Sequence, residues 1–134
     1  MLNPFPDLLA FSLLSPFIIR VVVGLIFVNL GALAFKNEKR RWIVSCSALR
    51  IPRPELAVKI LGTVEVIGGL MLLVGFYTQI IALVLALLTF AEAYVEYKDP
   101  SILKRNFVFY ILILSILLSL LLSGAGAFAV DLPL

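Results

Sequence analysis

Histidine is missing altogether, and cysteine occurs once, as Cys46. Without imidazole, histidine-based metal sites, bis-histidine haem ligation and histidine acid–base chemistry are excluded. A dithiol–disulfide couple takes two sulfurs, so the chain cannot run one alone. Charge is also scarce: 14% of the 134 residues are Asp, Glu, Lys or Arg, against about 25% in a soluble domain. Apolar residues fill 63% of the positions and mean hydropathy is +1.15, where a soluble domain has about 45–50% apolar residues. So small a globule has too little interior to hide that much apolar surface. An ordinary cytosolic enzyme, a disordered chain and a nucleic-acid binder are thereby excluded. What remains is an integral membrane protein. No complete catalytic set stands out, so an enzyme acting on its own is not expected.

A membrane-crossing helix takes about 20 mostly apolar residues. Four stretches qualify, at about 17–35, 57–75, 80–95 and 107–123. Their runs lack a period of two, and a few strands cannot close a barrel in lipid. The fold expected is all-α, a four-helix transmembrane bundle forming one domain over residues 1–134. The short apolar run Leu8 to Leu14 is set off by Pro16 and is too short to span. It reads as an interfacial turn or as an extra turn before a proline kink.

The connections carry the charge. Lys36, Lys39, Arg40, Arg41, Arg50, Arg53 and Lys59 cluster around the first connection, and Lys98, Lys104 and Arg105 around the third. The second connection, Phe76 to Gln79, and the C-terminal tail hold no basic residue. The positive-inside rule puts loops 36–56 and 96–106 in the cytoplasm and both termini outside, in a multi-pass protein of the plasma membrane. This accounts for a pI near 9.2 without nucleic acid. Trp42, Tyr77, Tyr94 and Tyr97 fall at the expected headgroup levels.

Helices associate in lipid through close packing and small residues. Gly24 and Gly31 share a face of the first helix; Gly62, Glu65 and Gly69 share a face of the second. Ser115, Ser119 and Ser123 form a polar thread on the fourth, facing inward or toward a partner. These stripes are either packing faces or the lining of one shared cavity. Glu65 lies near the bilayer midplane, where a lone carboxylate costs roughly 2.5–3.5 kcal/mol or more. It must be neutral, paired or facing water. Arg20 is the partner the sequence offers, at an axial offset on the order of 10 Å. The pair either fixes helix register or forms a substrate, quinone or proton site; a protonated, inert Glu65 is the third option. Glu92, one turn before Glu96, and Lys36 fall at the cytoplasmic side, as an interfacial charge group or as a mouth to the Glu65 site. Arg41 and Arg50 near Cys46 would lower its thiol pKa; a plain loop thiol is the other reading.

These residues together resemble the DoxX family of small four-helix membrane proteins. The first helix reads Arg20-Val-Val-Val-Gly24-Leu-Ile-Phe27, then Gly31 and Lys36. The second reads Gly62-Thr-Val-Glu65-Val-Ile-Gly68-Gly69, followed by Gly75 and Thr78. The tail Gly124-Ala-Gly126-Ala-Phe128-Ala-Val-Asp131 is similar to the family's closing signature. Gln79, Ala125, Ala127 and Ala129 depart from the residues common there, so what relatives' tails bind is not carried over. The resemblance implies a redox setting: relatives include a thiosulfate:quinone oxidoreductase subunit and a membrane partner in oxidant and thiol defence. It implies a membrane subunit or partner of a quinone- or thiol-linked system, with Arg20, Glu65, Glu92 and Lys36 as polar centre and a quinone as candidate cofactor. Its expected partners are the lipid bilayer, a soluble or membrane redox protein, and a second copy in a homo-oligomer. The alternatives are a small transporter or proton conductor, and a non-catalytic scaffold recruiting enzymes through its basic loop.

Overall fold

The computed structural model describes residues 11–36, 38–48, 50–98 and 106–131. Among them the chain is helical, without a strand, in the order α1 (Leu14–Phe35), α2 (Lys39–Ala48), α3 (Pro54–Val74), α4 (Thr78–Lys98) and α5 (Phe107–Ser123). Three of these, α1, α3 and α4, are long and apolar enough to cross a membrane, and α5 is a shorter apolar helix. At 1.5 Å per residue, α1 measures about 33 Å and α5 about 25 Å, against a hydrocarbon core of about 30 Å. The chain is a multi-pass membrane protein in contact with lipid.

The element boundaries differ from expectation where a local rule has an exception. Helix α1 begins at Leu14 and takes in Pro16. A proline in the first turn removes an amide that has no helical acceptor anyway, so neither break nor kink results. Of the apolar run before it, Leu8 to Ala10 lie outside the described residues. Helix α4 runs on to Lys98, past the expected end at residue 95, because Glu92 and Glu96 face inward and no longer mark a water boundary. The first connection, expected as a loop, contains α2. This helix is too short to span; it docks through Trp42 and Cys46, one turn apart, against Ala34 of α1 and Val58 of α3. Helix α5 occupies the expected residues, its first turn capped by Asn106, whose side chain accepts from the Val108 amide.

Helix α1 packs chiefly on α3, and α4 on α5; α3 against α4 joins the two pairs. The α1–α3 seam is a backbone contact. A methyl built on Gly24 would stand 2.9 Å from the Gly69 carbonyl oxygen, and one on Gly69 would stand 2.7 Å from that of Gly24. Gly31 meets the Gly62 carbonyl in the same way, at 2.7 Å. Lipid gives no apolar drive to helix pairing, so this close approach is the source of the seam's attraction. Gly75, at φ 73°, ends α3 with its own amide bonded to the Leu72 and Met71 carbonyls and the Phe76 amide bonded to Met71. That Schellman ending turns the chain straight into α4. The main core is apolar and lies between the four long helices: Val23, Phe27, Leu72, Leu85, Ile113, Leu117 and Leu120 are its centre.

Candidate functional site

Arg20 is fully buried in α1. A guanidinium there needs acceptors, and the C-terminal tail brings them. Beyond α5, Gly124 and Gly126 take positive φ values and Phe128 sits at φ 53°, so the tail folds back over the helix ends. Arg20 Nη1 donates to the Ala125 carbonyl at 2.9 Å, and Nη2 to those of Phe128 at 3.1 Å and Ala127 at 3.5 Å. The Phe17 ring lies 5.4 Å from the guanidinium carbon, adding a cation–π contact. Asp131 completes the closure. Its amide donates to the Gly75 carbonyl at 2.9 Å, and its carboxylate accepts from the Thr78 amide at 2.6 Å. That carboxylate caps the positive end of α4 and faces the Arg20 charge. Two glycines make room: a methyl on Gly75 would collide with Arg20 Nη1, and one on Gly126 would lie 2.7 Å from Pro16 Cγ.

The expected Arg20–Glu65 pair is therefore replaced. The guanidinium sits beside Gly75, ten residues further along α3 than Glu65, an axial distance of about 15 Å. Sequence inspection could not show this, because the acceptors are backbone carbonyls of a tail without side-chain signal. The closing Asp131 was the one readable mark.

Glu65 is buried near the middle of α3, away from the Arg20 closure. Gly68 packs on Leu85, and antiparallel pairing from that contact brings Glu65 level with Thr89. Gln79 donates to the Leu121 carbonyl at one end of the α4–α5 pair, and the Tyr97 and Phe107 rings meet at the other, 6.3 Å apart. Between those pins, Glu92 falls level with Tyr110. Glu65, Thr89, Glu92, Glu96 and Tyr110 are all buried, none more than 4% exposed. Thr89 donates to the Leu85 carbonyl one turn back. The buried polar residues thus divide into two groups, one at the Arg20 closure and one around the acids, with the apolar core between them.

A groove of about 320 Å³ opens between α4 and α5 on the acidic half. Its lining has no polar surface and includes Thr89, Phe90, Tyr94, Tyr97, Phe107 and Tyr110. Thr89 and Tyr110 are the buried floor; Phe90, Tyr94, Tyr97 and Phe107 are exposed walls. The groove is apolar and opens outward between the two helices. Thr89 and Tyr110 were not among the residues singled out by sequence.

The remaining expected residues fall elsewhere. Lys36 is exposed at the end of α1. Ser115, Ser119 and Ser123 are exposed, so the polar thread faces outward rather than inward, and Ser115 satisfies its hydroxyl on the Ile111 carbonyl. Cys46 is buried beside Trp42, and burial pushes its thiol up, opposite to the lowering expected from nearby arginines. Lys104 and Arg105 lie outside the described residues.

Comparison with known proteins gives one family. The DoxX family model matches residues 15–97, a stretch running from the first turn of α1 nearly to the end of α4. No curated protein and no solved structure matches the chain.

Proposed function

The chain belongs to the DoxX family, and from that premise we propose that it is the membrane subunit or partner of a quinone- or thiol-linked redox system, with a quinone as its ligand. In this reading residues 1–134 form one four-helix transmembrane bundle in the plasma membrane, termini outside and loops 36–56 and 96–106 in the cytoplasm. The observation that carries the ligand reading is the α4–α5 groove. It is walled by aromatic rings, open to lipid, and floored by the buried Thr89 and Tyr110. A quinone ring suits such walls by offset stacking.

Quinone reduction consumes two electrons and two protons. The electrons come from the redox partner, since a chain without histidine and with one buried cysteine offers little to hold an electron carrier. In this reading the protons pass through Glu92 and Glu65, the buried carboxylates of α4 and α3. Arg20 and Asp131 close the opposite end and take no part in this chemistry.

A short-chain photoreactive quinone tests the assignment. On irradiation with the full-length protein in nanodiscs it should label residues within 89–97 and 107–114. Ala93→Trp, which fills the groove from α4, should abolish labelling without loss of helicity. Labelling that persists in that variant, or maps to other helices, would refute the groove as the site. Glu92→Gln should keep the label and lose quinol formation when the partner is supplied.

A further inference from the structure

The lipid-facing side of α1 carries a polar residue the function above leaves unused. Ile18, Val22, Leu25, Asn29 and Ala32 are exposed along one stripe, spaced alternately by four and three residues. That spacing is the a/d seam of a coiled coil, in which a lone asparagine at an a position fixes register and partner number. Asn29 lies about 7 Å from the midpoint of α1, well inside a hydrocarbon core of about 30 Å. Its side chain is too short to reach the headgroups as lysine or arginine does. An exposed primary amide at that depth, with two N–H donors and a carbonyl acceptor, calls for a polar partner.

We propose that α1 pairs with α1 of a second copy of this chain, the two Asn29 amides hydrogen-bonding across a two-fold axis along the membrane normal. The occupant follows from electrostatic complementarity. The amide is complementary to itself, since each copy donates an N–H and accepts at its carbonyl. Every copy inserts in the same orientation, so the two α1 helices run parallel and both Asn29 residues lie at one depth without further adjustment. An isologous contact of this kind is the usual form of a two-fold dimer. Ala32, one turn away, keeps the helices close on that side. The α4–α5 groove is left open to lipid, so the dimer and the quinone site are independent.

The test uses the full chain in liposomes, with dimer fraction read by energy transfer between labelled copies as protein is diluted in lipid. Asn29→Leu should weaken dimerisation roughly tenfold. It adds only apolar surface to a lipid-facing position, so folding should be intact by circular dichroism. Asn29→Gln, which keeps the amide, should restore most of the affinity. In a Cys46→Ser background, Leu25→Cys should cross-link between copies, and Leu118→Cys, exposed on α5, should not. A monomeric wild type, an Asn29→Leu chain that dimerises as well as wild type, or equal cross-linking at Leu118 would each overturn the proposal.

Discussion

Arg20 shows how a single buried charge organises a chain terminus. Its guanidinium reaches three tail carbonyls and faces the Asp131 carboxylate. Replacing it by methionine fills the volume but leaves those acceptors without their donor, the buried Ala125 carbonyl above all. Arg20→Met should cost about 2–4 kcal/mol, and hydrogen exchange should rise across residues 124–131. The same experiment separates the two partners considered for Arg20. Paired with Asp131→Asn, the loss should be clearly less than the sum of the single effects; paired with Glu65→Gln, the two should add within about 0.5 kcal/mol, as independent sites do. Non-additivity with Glu65 would restore the pair expected from sequence. That expectation located both buried charges, and charged residues in apolar helices are indeed legible. What the sequence could not disclose is that the arginine's acceptors are main-chain atoms. Cys46 makes the complementary point. Proximity to arginine in sequence suggested a reactive thiolate, but Cys46 turns toward Trp42, Ala34 and Val58. Maleimide labelling should be slow at neutral pH and rise only above the ordinary thiol pKa. The sign follows from a thiol pKa raised by folding: this group's contribution to stability is complete below the unfolded value and is lost as pH climbs through the folded one.

At the scale of elements, the seam between α1 and α3 is more exacting than the contact between α3 and α4, though neighbouring glycines serve the two. Gly69 faces the Gly24 carbonyl and the Val28 backbone amide, at 2.7 and 2.8 Å from a built methyl. Gly68 faces the tip of the Leu85 side chain, at 3.0 Å. Backbone cannot yield as a leucine rotamer can. Gly69→Ala should therefore force the helices apart and destabilise by about 1–3 kcal/mol, while Gly68→Ala should stay below about 1 kcal/mol. Unfolding in detergent by denaturant would show the contrast; equal effects would mean that the seam has slack. The glycine stripes were readable because small residues at helical spacing have one main use in lipid. Helix α2 was not, because its pattern mixes Lys39, Arg40 and Arg41 with Trp42 and Ile43, and only docking against α1 and α3 makes a helix of it. The span lengths of α1, α3 and α4 were set by hydropathy, and misplaced ends occurred where polar residues face inward or a proline falls in a first turn.

The whole molecule is divided along its length. The acids occupy one half, the Arg20 closure the other, and Val23, Leu72, Leu85, Leu117 and Leu120 fill the space between. An apolar layer several side chains thick, between the acids and the Arg20 closure, is a barrier to protons. This favours a binding site reached from one side over conduction across the membrane. Liposomes carrying the protein and a pH-sensitive dye should show no proton leak above protein-free vesicles under an imposed gradient; a leak abolished by Glu65→Gln would reverse that conclusion. The same division sets which face each half meets. Lys36, Arg40, Arg50, Arg53 and Lys59 are exposed at the α2 end, whereas the closure end has Tyr77, Ser123 and the tail. The proposed orientation, from the positive-inside rule, puts the α2 end in the cytoplasm. In a Cys46→Ser background, a cysteine at Ser123 should react with an impermeant maleimide added to intact cells, and one at Arg50 only after permeabilisation. Both sites are exposed, so differential labelling reports the side of the membrane and not burial. The reverse pattern would invert the proposed topology and place the α2 end outside.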